Sequence, residues 1–176
     1  MKTIKEDNIF YMWLKTALQK LDDDFKSKKF NPMNEQDFRC HLYHCLIETR
    51  NKVGGITYDH SIMNEYKIPG SSTSSGQPKS IDIILTENSE PRLCIELKES
   101  NSNFRSAKSM ENRLRKNIKN LKNNMETLQS LGANVQPVIL YWFWGSRRGI
   151  ISKVEEEMNV LRDKYPNLQF WCGPRR

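Results

Sequence analysis

Apolar residues first recur along the chain at helical spacing. Phe10, Trp13, Leu14, Ala17, Leu18, Leu21 and Phe25 follow an i, i+3, i+4 rhythm between Lys5 and Lys29, and Asn31-Pro32 ends the run. Asn34 is a good N-cap for a second helix reaching about Glu48, with Phe38, Leu42, Cys45 and Leu46 as its stripe. The rhythm then changes to that of strands. Ser61 to Ile68 reads as the first strand, and Ile81 to Leu85 and Leu93 to Leu97 are short β-branched or apolar runs. The first two are separated by a Gly-, Ser- and Pro-rich loop from Pro69 to Pro78, and the last two by Glu87-Asn-Ser-Glu-Pro91, which has the composition of a five-residue hairpin loop. A long helix over Ser106 to Leu131 carries Met110, Leu114, Ile118, Leu121, Met125 and Leu128 on one side, and Gly132 stops it. Gln136 to Trp144 is continuously apolar, as a central strand buried on both faces would be. Ile151, Val154, Met158, Leu161 and Tyr165 then mark a further helix, and Leu168 to Cys172 a last strand.

Three charged residues interrupt the second and third strands. A five-residue hairpin loop pairs Thr86 with Arg92, and counting back along both strands sets Asp82 opposite Glu96. Directly opposed residues of an antiparallel pair hold their Cβ atoms about 4.5–5.5 Å apart on one side of the sheet. Lys98 shares that side, while Leu93, Ile95 and Leu97 cover the other. Two carboxylates so close repel, and a divalent cation relieves the repulsion. Oxygen ligands on rigid strands suit Mg²⁺, and a neighbouring lysine can orient or deprotonate a water and stabilise charge growing on a phosphate. A single Glu-x-Lys is more often a surface ion pair. Three charges on one face of a hairpin whose other face is hydrophobic weigh against that.

The arrangement S-I-D-(x13)-E-L-K resembles the core of the PD-(D/E)XK nuclease superfamily, with Ile81 where the family name has proline. The resemblance implies an α/β fold, a restriction-endonuclease-like α-β-β-β-α-β core with a central mixed sheet flanked by helices. The element order from Asn34 agrees with it. One domain over residues 1–176 is expected: an extra N-terminal helix (1–31), the core (34–144) and a C-terminal helix and strand (150–176). It further implies an endonuclease that hydrolyses nucleic acid, DNA by expectation, by sequence or by structure, with Mg²⁺ as cofactor and Mn²⁺ able to substitute. Asp82, Glu96 and the carbonyl oxygen of Leu97 would bind the ion, and Lys98 would position the nucleophile. Glu35 falls on the stripe of the second helix, where a first-turn acid also serves the helix dipole. By resemblance it would bind or orient a second ion or its water. The rival reading is a nuclease fold without catalysis, serving as a nucleic-acid-binding or scaffold subunit of a defence, repair or viral complex.

Composition supports an anionic partner. With 176 residues, 37% hydrophobic and 28% charged, the chain has the make-up of one soluble domain, and its net charge is +7. No apolar run approaches a membrane span and the first residues lack a signal-peptide core, so a cytoplasmic protein without membrane association is expected. Between Lys98 and Lys122 eight basic residues face two acidic ones. Such a run is usually a solvated helix face, but here it follows the candidate metal strand. Arg105, Lys108, Arg113, Arg115, Lys116, Lys119 and Lys122, with Arg147 and Arg148 in a later turn, are therefore candidate contacts to a nucleic-acid backbone. The N-terminal helix either packs as extra cover or supplies a homodimer surface. Cys40-His-Leu-Tyr-His-Cys45 raises zinc, but helical spacing puts Cys40 with His44 and His41 with Cys45, two ligands per face where a structural site needs four. No P-loop, Rossmann or G-x-S-x-G pattern directs the reading to another enzyme class.

Overall fold

The computed structural model describes residues 8–100, 107–130, 134–143 and 169–173, with the helical positions Ser152, Glu156, Asn159, Val160 and Asp163. Its elements are α1 (Ile9–Lys26), α2 (Glu35–Thr49), a 3-10 turn (Arg50–Lys52), β1 (His60–Lys67), β2 (Ser80–Glu87), β3 (Glu90–Ser100), α3 (Ala107–Ser130), β4 (Gln136–Phe143) and β5 (Gln169–Gly173). The strands form one mixed open sheet in the order β1-β2-β3-β4-β5. The β1–β2 and β2–β3 pairs are antiparallel, whereas the β3–β4 and β4–β5 pairs are parallel. The protein is thus α/β.

Asparagine caps begin both N-terminal helices, Asn34 where expected and Asn8 inside the run expected to start at Lys5. The Asn8 side chain accepts the N–H groups of Phe10 and Tyr11, and that of Asn34 accepts the N–H of Asp37. The α1 stripe from Phe10 to Leu21 is buried and joins Phe38, Leu42, Cys45 and Leu46 of α2 in one cluster with Ile83, Leu85, Leu93, Ile95, Leu97, Val138 and Leu140 of the sheet. The Trp13 indole N–H donates to the Leu46 carbonyl at 2.8 Å, which satisfies the polar end of a fully buried ring. So α1 is a full partner in the core, and its stripe is spent on packing within the chain. Truncating Trp13 to Ala would cost about 3–5 kcal/mol.

The β2–β3 turn differs from the five-residue loop expected. Glu87 pairs with Glu90 across Asn88 and Ser89, whose φ values of 50° and 66° make a two-residue turn of the kind that matches strand twist. Thr86 then pairs with Pro91 and Leu85 with Leu93, which leaves Arg92 as the extra residue of a bulge. Turn and bulge together restore the offset of a five-residue loop, and Ile83 faces Ile95 as expected.

On α3, Ile118, Met125 and Leu128 of the expected stripe are buried, and Asn124 beside them. The side chains of Met110, Leu114 and Leu121 lie outside the described residues, as does most of the expected helix from Ile151 to Tyr165. β5 corresponds to the last expected strand, shifted by one residue. Among the described residues, no helix is long and apolar enough to cross a membrane.

Candidate functional site

The site lies where two ladders open. β1 and β2 pair at Asn64↔Ile83 and again at Tyr66↔Ile81, passing over Glu65 and Asp82. The β2–β3 pairing ends at Ile83↔Ile95, after which β2 continues against β1 alone and β3 against β4 alone. Asp82 and Glu96 are the next residues on the two arms of this fork. Parting strands strand backbone groups, and a buried N–H without an acceptor is costly. Asp82 resolves this: its Oδ2 accepts the Leu97 N–H at 2.8 Å.

Lys98 is the focus of the charges. Its Nζ lies 3.4 Å from Glu35 Oε1, 3.6 Å from Asp82 Oδ2 and 3.4 Å from Glu96 Oε2, so acids from α2, β2 and β3 converge on one ammonium. The side chains of Asp82, Glu96 and Lys98 are 16, 15 and 19% exposed, dry enough for charges to matter. Burial, and after it the Asp82 charge, pushes the Glu96 carboxyl up to about 8 against the pull of Lys98. Burial works to lower the Lys98 pKa, but Asp82, Glu96 and Glu35 together outweigh it and raise the value. Lys98 therefore stands as a cation in this arrangement, suited to stabilising negative charge rather than to taking a proton.

Two further residues complete the site. Arg39, one turn after Glu35 on α2, pairs with Glu65 at 2.6 Å and with Asp82 at 3.4 Å. Its Nε is buried without a hydrogen-bond partner among the described residues. Glu65 has φ 50°, a left-handed conformation that costs a residue with a Cβ of order 1–3 kcal/mol, and it sits at the register position the ladder skips opposite Asp82. The i, i+4 relation to Glu35 was a readable sign for Arg39. Glu65 had none, since its facing depends on how β1 registers against β2.

With Glu96 ionised, Glu35, Glu65, Asp82 and Glu96 against Arg39 and Lys98 leave a formal deficit of two positive charges, the charge of one divalent ion. The donors are all oxygen, which fits Mg²⁺ or Mn²⁺ rather than a thiophilic metal. Asp82 and Glu96 would be the residues to hold such an ion. In an extended strand the N–H and C=O of one residue leave on the same side, so the Leu97 carbonyl shares the side on which its N–H meets Asp82. Glu35, 34% exposed, stands at the rim.

Of the candidate nucleic-acid contacts, Lys108, Arg113, Arg115, Lys116, Lys119 and Lys122 are exposed on α3, and Lys108, Arg115, Lys119 and Lys122 follow one another at helical spacing along one face. Arg105, Arg147 and Arg148 lie outside the described residues. Comparison of the chain with protein-family models, with curated proteins and with solved structures finds no match.

Proposed function

We propose that this protein is a divalent-metal-dependent nuclease of the PD-(D/E)XK kind, an endonuclease acting on nucleic acid, DNA before RNA, and that its sheet is a restriction-endonuclease-like core. The observation that carries the proposal is the convergence of Glu35, Asp82 and Glu96 on Lys98 at the fork between β2 and β3. The antiparallel β1-β2-β3 unit followed by a helix and a parallel β4 supports the same reading. Mg²⁺ or Mn²⁺, held by Asp82, Glu96 and the Leu97 carbonyl, would supply Lewis acidity at a phosphoryl oxygen and a more acidic water. Around it the chain's own groups divide the work. Glu35 orients water at the rim, Lys98 stabilises charge on the phosphate and positions the nucleophile, and the exposed cations of α3 hold the backbone. The products expected from this chemistry are a 5′-phosphate and a 3′-hydroxyl.

One observation favours a second reading, a nucleic-acid-binding subunit that keeps the fold without cutting. Arg39 and Lys98 between them already pair with all four acids of the site. Incubation with supercoiled, linear, single-stranded and branched DNA and with RNA, in Mg²⁺, Mn²⁺ or EDTA, separates the two. The nuclease cuts at least one substrate in metal and none in EDTA, whereas the binding subunit retains nucleic acid and cuts nothing.

A further inference from the structure

Where α1 packs on α2, a second group of ligating side chains converges that the nuclease chemistry does not use. Asp24 on α1 and His41 and Cys45, one turn apart on α2, each bring a ligand atom within 4.8 Å of the others. Asp24 is 8% exposed and Cys45 is fully buried. The His41 ring stacks on Phe30 with centroids 4.0 Å apart and planes inclined by 6°, which fixes the imidazole plane, and its Nε2 lies 3.1 Å from Asp24 Oδ2. Helical spacing identifies His41 and Cys45 as one face of α2. The third ligand comes from another helix, which spacing within α2 does not show.

We propose that Asp24, His41 and Cys45 bind one transition-metal ion, Zn²⁺ by the chemistry of the donors, with a water in the fourth position. A set of one oxygen, one nitrogen and one sulfur suits a borderline ion and is foreign to Mg²⁺. Zinc bonds of about 2.0–2.3 Å set tetrahedral donors roughly 3.3–3.7 Å apart, so the Asp24–His41 pair, at 3.1 Å, opens slightly on loading while donors as far apart as 4.8 Å would close by at most about 1 Å. Lys20 does not stand in the way. Its Nζ bonds Glu48 Oε2 at 2.9 Å as well as Asp24 Oδ2 at 3.0 Å, so it keeps Glu48 when Asp24 turns to the ion. The charges then balance: the thiolate and the Asp24 carboxylate neutralise Zn²⁺, Lys20 and Glu48 neutralise each other, and His44, 3.3 Å from Glu48, lies on the outer side of that pair. The thiol gives up its proton on coordination. The ion would link the C-terminal part of α1 to α2 through three protein ligands and an open fourth position, separate from the carboxylate site and independent of the nuclease reading.

Titration of the chelator-stripped full chain with Co²⁺, a spectroscopic stand-in for Zn²⁺, tests this. One equivalent should produce a thiolate-to-cobalt absorption band that Zn²⁺ abolishes and Mg²⁺ does not. The band should persist in Cys40→Ser, Cys94→Ser, Cys172→Ser and Asp82→Asn and vanish in Cys45→Ser. His41→Ala, at a partly exposed position, covers the case in which Cys45→Ser fails to fold: it should weaken binding at least about tenfold and remove the Zn²⁺-induced rise in melting temperature. Folded wild type without a thiolate band, a band that survives in Cys45→Ser, or an undiminished Zn²⁺ response in His41→Ala would each overturn the assignment and leave a hydrogen-bonded polar network only.

Discussion

The Asp82 carboxylate accepts the Leu97 N–H at 2.8 Å and thereby stands on β2 in place of the backbone carbonyl that a continued β2–β3 ladder would offer. The same carboxylate reaches Lys98 and Arg39, so one side chain closes the backbone of the fork and anchors its charges. Asp82→Asn keeps an acceptor for that N–H and Asp82→Ala does not. In EDTA the alanine variant should be less stable than the asparagine variant by about 1–3 kcal/mol, the cost of an unsatisfied buried donor. Wild type should gain a rise in melting temperature from Mg²⁺ or Mn²⁺, and both variants should lose it. Urea denaturation of the pair with and without metal checks both statements, and equal stability in EDTA would remove the backbone role.

Glu96 should make the metal-free protein less stable as pH rises. Its carboxyl is pushed up from the ordinary 4.5 to about 8 in the fold, so between those values the folded chain holds a proton that the unfolded chain has released. Stability from this group is complete below the unfolded value and is lost as pH climbs through the folded one, at up to about 1.4 kcal/mol per pH unit. Melting curves in EDTA from pH 5 to 8 should show the decline, and Glu96→Gln should flatten it. Mg²⁺ should offset the decline increasingly toward pH 8, because the ion binds the ionised acid. The same slope in Glu96→Gln would place the pH dependence elsewhere.

Arg39 pairs with Asp82, so on the proposed reading it should compete with metal for that carboxylate. Arg39→Met leaves Glu65 and Asp82 without that cation and should cost about 1–2 kcal/mol in EDTA, less than a fully buried pair because Glu65 is 52% exposed. Calorimetric titration should show Mg²⁺ binding the variant more tightly than wild type, since the cation deficit of the site grows. Weaker Mg²⁺ binding in Arg39→Met would mean that Arg39 organises the acids rather than competing for them.

The parts of this structure legible in the sequence are those fixed by local chemistry. The α1 and α2 stripes, the caps at Asn34 and the strand runs follow from periodicity, and burial of Phe38, Ile83 and Ile95 agrees with it. The expected opposition of Asp82 and Glu96 rested on a five-residue loop that the structure replaces, and the ladder parts just before the two acids. A two-residue turn and the bulge at Arg92 happen to preserve the same offset, and Asn88-Ser89 lacks the glycine that would have announced so tight a turn. Glu65 and Asp24 were not legible, because each owes its place to a neighbour distant in sequence: Glu65 to the β1–β2 register, Asp24 to the docking of α1 on α2. Arg39 was legible in principle, one helical turn from Glu35, although its partners Glu65 and Asp82 lie on other elements.

If the exposed cations of α3 track phosphates, their loss should be felt alike on every sequence. Lys108, Arg115, Lys119 and Lys122 replaced singly by alanine should each weaken binding by similar factors on unrelated DNAs and lower the slope of log affinity against log salt by about one. Fluorescence anisotropy over a salt series reads both quantities. Unchanged affinity and slope would make this surface a solvated helix face.

The most direct test of the central claim compares wild type with Lys98→Ala, since three acids converge on that ammonium. On a DNA that wild type cuts in Mg²⁺, single-turnover cleavage by Lys98→Ala should fall by at least about 10²-fold, the scale of losing one transition-state stabiliser, while DNA affinity falls far less and the Mg²⁺-induced rise in melting temperature remains. Wild type that binds DNA but cuts no substrate in either metal, with Lys98→Ala indistinguishable from it, would contradict the account and leave the binding-subunit reading in its place.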